Sequence, residues 1–85
     1  MRRIYSVNFR VQYLTKGKKN PWWEERPEPI SVLANGDARE AVKKVERHVL
    51  RKPVIWTDEE GKKAVDVPVA FRLNSVEIEA EADIS

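Results

Sequence analysis

Apolar and polar side chains alternate at the start of the chain. Between Arg3 and Leu14, the apolar side chains at every second position are those of Tyr5, Val7, Phe9, Val11 and Tyr13. A period of two with β-branched and aromatic residues is typical of a half-buried β-strand. The same alternation returns on a shorter scale at Ile30, Val32 and Ala34. This repeat predicts a second, antiparallel strand after a long connection.

The spacing of apolar residues changes from two to about 3.6 after Gly36, which predicts a helix. Asp37 is placed to cap its N-terminus, with Glu40 three residues later completing a capping box. Pro53 ends it, because proline cannot continue a helix. The apolar stripe consists of Ala38, Ala41, Val42, Val45 and Val49.

The last third of the chain returns to strand patterns. Two short strands are predicted around a turn at residues 58–63, where Gly61 supplies a positive backbone angle. Further on, residues 67–73 alternate cleanly, but the apolar positions change phase after Asn74 and Ser75. Because a one-residue slip sends every later side chain to the other face, we expect a bulge or bend there, within one long final strand.

These elements predict the order β-β-α-β-β-β in a single domain, residues 1–85. One helix packed on one antiparallel sheet is an α+β two-layer sandwich. The segments IYSVNFRVQY, ISVLANGDAREAVKKV and FRLNSVEIEAEADI resemble small β-β-α-β proteins encoded by phages and mobile elements. Many of those proteins have no known function, so the resemblance implies the fold and no catalytic residue.

The amino-acid composition indicates the cellular compartment of the protein and the kinds of partner it could bind. The chain holds no cysteine, which suits a reducing compartment. It also shows no continuous apolar run of the kind that a signal peptide or membrane span requires, so we expect a cytoplasmic protein. The net charge is +2, but residues 1–52 carry +7 and residues 53–85 carry −5. This asymmetry fits either a nucleic-acid surface or a basic strand paired beside an acidic one.

The sequence contains few features that are typical of an enzyme. The one histidine, His48, borders the apolar stripe of the helix, where a half-buried structural role is expected. No nucleophile, phosphate-binding or metal-protease motif is present. We therefore expect a protein that is not an enzyme and that uses neither a cofactor nor a metal.

The segment KGKKNPWWEERP, residues 16–27, carries the candidate functional residues. Its indoles have three interpretations: they cap a thin core, they bind a protein together with Arg26, or one of them stacks on an unpaired base. Adjacent residues seldom both point inward, so we expect one of Trp22 and Trp23 to be buried and the other exposed. The base-stacking interpretation adds phosphate contacts from Lys16, Lys18, Lys19 and, on the helix, Arg39, Lys43 and Arg47.

The function favoured by these patterns is a non-catalytic binding module that contacts an unidentified protein partner through the Trp-Trp loop and a sheet edge. An uncovered edge also allows a homodimer by strand pairing. The alternative is a nucleic-acid-binding accessory protein. No membrane association is expected.

Overall fold

The computed structural model describes residues 2–25 and 28–82. They form one helix and an antiparallel sheet of five strands, which confirms the α+β class. Within these residues, no helix is long and apolar enough to cross a membrane. The elements are β1 (Arg2–Thr15), β2 (Trp22–Trp23), β3 (Ile30–Ala34), α1 (Ala38–Leu50), β4 (Val54–Thr57) and β5 (Lys63–Ala82).

Strand β1 is the centre of the sheet. On one side, β5 pairs with it from Arg2 through Thr15, so that every residue of β1 takes part. On its other side, β3 pairs with residues 3–7 and β2 with Gln12 and Tyr13. Strand β4 pairs with β5 at residues 63–66 only. The antiparallel return predicted for residues 30–34 is confirmed.

The predicted element order is wrong in two places. The Trp-Trp segment, expected to be a loop, contributes the short strand β2 because Trp22 and Trp23 pair with Tyr13 and Gln12. After the turn at Gly61, the expected short strand and long strand are one continuous strand, β5. The observed order is therefore β-β-β-α-β-β, and β1 is long enough to pair with β5 from residue 66 to residue 82.

The expected interruption at Asn74 and Ser75 is confirmed, and it is one of three. The register between β1 and β5 shifts at three points, where Val69, Asn74 and Glu79 of β5 have no residue opposite them. Each extra residue is a β-bulge, which bends the strand and reverses the alternation of its side chains. The bulges recur every five residues along β5.

The core lies between α1 and the middle of the sheet. Its buried side chains from the sheet are Tyr5, Val7, Phe9, Val11 and Ala34, and those from the helix are Ala41 and Val45. Asp37 caps the helix as predicted, because its carboxylate accepts a hydrogen bond from the Glu40 amide at 3.2 Å. His48, expected to be half-buried, is exposed at the border of the apolar stripe, where α1 faces the open groove beside β3.

The helix covers only part of the sheet. A helix of 13 residues is about 20 Å long, whereas a strand of 14 residues is about 46 Å long. The molecule is accordingly elongated, with principal extents of 53 × 21 × 19 Å. The end of the sheet that carries β2, β4 and residues 12–15 of β1 contributes no residue to the buried cluster under α1, although Tyr13 packs against its margin.

We expect Asp37→Ala to lower the free energy of unfolding by about 1 kcal/mol, because the amide of Glu40 loses its side-chain acceptor. Urea unfolding followed by circular dichroism measures the change. Arg39→Ala, an exposed position on the same turn, is the matched control and should leave the midpoint nearly unchanged. An unaltered midpoint in Asp37→Ala would show that the cap contributes nothing.

Candidate binding surface at the uncovered end of the sheet

Large apolar side chains are exposed on both faces of the sheet at its far end. We call this part the uncovered end; it comprises β2, residues 12–15 of β1, β4 and residues 63–70 of β5. All three tryptophans of the chain lie there. Its exposed large apolar residues at paired strand positions are Trp22, Trp23, Val54, Ile55, Trp56 and Val67.

A hydrogen-bonded chain of side chains crosses the face of the uncovered end that is continuous with the helix-covered face. The Trp22 indole N–H donates to the Thr15 hydroxyl at 3.1 Å, and that hydroxyl donates to Asp66 Oδ1 at 2.7 Å. Trp56 reaches the same carboxylate from the other side, with its indole N–H 2.9 Å from Oδ2. Two tryptophans from distant parts of the chain are thus tied to one carboxylate.

Asp66 is the buried anchor of this chain, with only 5% of its surface exposed. Strand pairing brings the two donors to Asp66. Thr15 lies directly opposite it on β1, and on β4 Trp56 lies two residues beyond Val54, the residue opposite Asp66, and so points to the same face. Buried carboxylates are tolerated where hydrogen-bond donors satisfy their oxygens, and here each oxygen has one. Burial and bonding together fix the carboxylate, and through it the two indoles.

Tyr13 packs against Trp22 on the same face. Their ring centroids are 5.3 Å apart with an interplanar angle of 32°, within the range of favourable aromatic pairs. Burial raises the pKa of the Tyr13 phenol above its ordinary value of 10.0, and the negative charges of Glu24 and Asp66 raise the pKa further. The phenol therefore remains neutral at physiological pH and serves as a packing surface for the indole.

The opposite face of the uncovered end is also apolar. Leu14 lies opposite Val67, and Ile55 lies opposite Val65, so these four side chains form adjoining cross-strand pairs. Trp23 lies beside them, opposite Gln12. No helix covers this face within the described part of the chain.

Neither indole of the Trp-Trp segment is buried, so the expectation of one buried and one exposed tryptophan is wrong. Trp22 is 42% exposed and Trp23 is 39% exposed. As consecutive strand residues they point to opposite faces, as expected, but both faces are open at this end. The core-capping interpretation fails for the same reason, because the core cluster lies under α1 and does not include them.

The predicted basic residues fall into two separate groups. Lys16, Lys18 and Lys19 are exposed after the end of β1, where the Lys16 amide bonds to the Val65 carbonyl at 2.9 Å. The exposed helix residues Arg39, Lys43 and Arg47 lie on α1, over the other half of the sheet. Arg26 lies outside the described residues.

A pair of arginines was missed by the sequence analysis. Arg10 of β1 lies directly opposite Arg72 of β5 on the face without the helix, and both are exposed. Among the described residues, neither guanidinium forms an ion pair with a carboxylate. Like charges directly opposite one another destabilise a sheet, and an anionic group beside them would offset this repulsion.

A shallow groove of about 270 Å³ runs between α1 and the outer edge of β3. The Lys44 ammonium closes part of that edge by donating to the Leu33 carbonyl at 2.9 Å. The groove is lined by Ile30, Ser31, Val32, Lys44, Val45 and His48. It contains no group of acidic or histidine residues close enough together to hold a metal, and neither does the rest of the described chain.

Sequence reasoning also missed Trp56, Thr15 and Asp66. Asp66 was detectable in principle, because it is the one charge in the run AVDVPVAF, and an isolated carboxylate among apolar residues needs a hydrogen-bond donor. Which donors serve it depends on strand pairing between distant segments, so no local pattern indicates Trp56 and Thr15 as partners.

The chain matches no protein-family model, no curated protein and no solved structure. The resemblance to small phage-encoded proteins thus gains no support from these comparisons.

We expect Asp66→Ala to lower the free energy of unfolding by about 1–3 kcal/mol, because Thr15 and Trp56 lose their shared acceptor. The emission maximum of tryptophan should shift as Trp22 and Trp56 lose their fixed positions. Glu59→Ala removes an exposed carboxylate from the nearby turn and is the control for charge alone. Equal effects in the two variants would contradict the anchoring role of Asp66.

The raised pKa of Tyr13 predicts a pH dependence of stability. Since folding favours the protonated phenol, its contribution is complete below pH 10.0 and is lost as the pH rises through the higher folded-state pKa. The free energy of unfolding should therefore fall more between about pH 9 and about pH 11 in the wild type than in Tyr13→Phe. Urea titrations at both pH values measure this difference. Equal losses of unfolding free energy in the two proteins would contradict a raised pKa of Tyr13.

Proposed function

We propose that the protein is a non-catalytic binding module that contacts another protein through the uncovered end of its sheet. The observation that carries the proposal is the exposure of large apolar side chains on both faces of this end, with Trp22, Val54 and Trp56 on the helix-side face and Trp23, Ile55 and Val67 on the opposite face. Soluble monomers seldom expose large contiguous apolar patches unless these bind something.

The fixed positions of the indoles support the same proposal. Tryptophan is among the residues that contribute most to binding energy at protein interfaces. Trp22 and Trp56 are already held by Thr15 and Asp66, so a partner would not bear the entropic cost of ordering them. The outer edge of β4, next to Trp56, adds unpaired backbone groups to which an extended segment of the partner can bond.

A nucleic-acid-binding accessory role is the second candidate. This role is favoured because Trp23 lies on the face of the sheet without the helix, and Arg10 and Arg72 lie on that same face. A base stacked on Trp23 would place its phosphates near guanidinium groups. Lys16, Lys18 and Lys19 extend the positive charge, whereas Arg39, Lys43 and Arg47 lie over the other half of the sheet.

Two narrower features accompany the proposal. We propose a two-layer arrangement in the covered half, on the grounds that Ala41 and Val45 of α1 share one core cluster with β1. We also propose a cytoplasmic site of action, because the chain contains no cysteine.

Affinity capture with matched variants tests the protein-binding proposal. Tagged protein is incubated with native lysate after nuclease treatment, and captured proteins are quantified for wild type, Trp22→Ala and Trp56→Ala. We expect a partner that survives nuclease and binds each variant at least about thirtyfold more weakly. Leu33→Ala removes an exposed apolar side chain from β3 and should leave capture unchanged. Equal capture by all four proteins would refute the proposal.

Titration of a fluorescent single-stranded oligonucleotide tests the alternative. If that role is correct, binding weakens steeply with salt and is lost in Arg10→Glu and in Trp23→Ala. The absence of binding at low salt would exclude it.

A further inference from the structure

Residues 67–82 of β5 present a long sheet edge that no strand covers in the described chain. β4 pairs with β5 only up to Asp66, and β1 occupies the other side. Along this stretch Leu73 is 42% exposed and Ile78 is 54% exposed, although both lie opposite buried residues of β1. An edge of this length with exposed apolar residues is a template for another strand.

We propose that a second copy of the chain covers this edge, with the two β5 strands antiparallel about a two-fold axis between Asn74 and Ser75. The bulges at Val69, Asn74 and Glu79 fix this register, because each reverses the alternation of side chains. Before Asn74, Phe71 and Leu73 point to the helix side; after it, Val76 and Ile78 do. When the two-fold axis passes between Asn74 and Ser75, side chains that lie opposite one another in the two copies point to the same face of the sheet. This holds both before and after the bulge at Asn74.

The resulting cross-strand pairs are complementary. On the helix side, Leu73 of each copy lies opposite Val76 of the other, and Phe71 lies opposite Ile78. On the other face, Arg72 lies opposite Glu77, so the two-fold axis generates two oppositely charged pairs. Apolar and opposite-charge pairs of this kind stabilise antiparallel strands.

Arg72 gives a second, independent reason for this register. Within one chain it faces Arg10, and the described carboxylates leave both guanidinium groups without an ion-pair partner. In the dimer, Glu77 of the second copy occupies the free side of Arg72. The like-charged pair thus gains a carboxylate, because Arg10, Arg72 and Glu77 of the second copy form one row across three strands.

The length of the free edge also fits. Pairing about Asn74 and Ser75 brings residue 67 opposite residue 82, so the second copy occupies the whole stretch that β4 leaves open. A two-fold axis perpendicular to the sheet puts both helices on the same side. The two β1 strands are then separated by three strand spacings, about 14 Å, which exceeds the usual distance between packed helix axes of about 8–10 Å.

The dimer covers the edge of residues 67–70 but does not use β4 or the three tryptophans of the uncovered end, so it does not depend on the proposed function. Its test is the oligomeric state of the purified protein, whereas the proposed function is tested by partner capture. Either one can fail while the other holds.

Charge reversal across the axis tests the dimer. Sedimentation equilibrium of the full chain should show a dimer for the wild type and at least about tenfold weaker dimerisation for Arg72→Glu and for Glu77→Arg. The double variant Arg72→Glu/Glu77→Arg restores both pairs and should recover the wild-type affinity. Circular dichroism checks folding, which Arg72→Glu should preserve because it introduces a carboxylate opposite Arg10.

A cysteine placed near the axis gives a second measurement, because the chain contains no cysteine. Ser75→Cys puts two thiols on one face next to the axis, with Cα atoms about 6 Å apart, and should form a disulfide-linked dimer rapidly on mild oxidation. Asn20→Cys, in the exposed connection after β1, should cross-link much more slowly. The proposal is overturned if the wild type is monomeric at about 200 μM, if the single reversals leave dimerisation unchanged, or if both cysteine variants cross-link equally.

Discussion

The antiparallel pairing of β1 with β5 is the constraint on which the rest of the structure depends. It engages every residue of β1, from Arg2 to Thr15, and thereby creates a ribbon about 46 Å long. One helix of 13 residues spans less than half of that length. Every other strand is placed by this ribbon, since β2 and β3 pair with β1, and β4 pairs with β5.

The two halves of the ribbon are consequently stabilised in different ways. Under α1, apolar burial dominates, with Val7, Val11 and Val45 almost completely removed from solvent. Beyond α1, the sheet has no second layer in the described chain, and a buried carboxylate with two side-chain donors holds the tryptophans instead. A hydrogen-bonded network of this kind fixes positions but leaves apolar surface exposed, which is the property that a preformed binding surface requires.

Local patterns in the sequence predict the elements whose formation is local. The period of β1, the cap at Asp37 and the phase change at Asn74 all reflect interactions within a few residues, and the structure contains each of them. The exposure of Trp22 and Trp23 could not be predicted in this way, because it depends on how far the helix extends over the sheet. The partners of Asp66 likewise follow from the register of three strands that are distant in sequence.

Amide hydrogen exchange at the uncovered end tests the central claim, that this end is folded and its indoles are held in place before any partner binds. The informative amides are those of Lys16 and Glu24, which bond to the carbonyls of Val65 and Val11, each at 2.9 Å. The account predicts that both exchange at least about a hundredfold more slowly than unstructured amides. Exchange of both at unprotected rates, while the amide of Val45 in the helix stays protected, would contradict it.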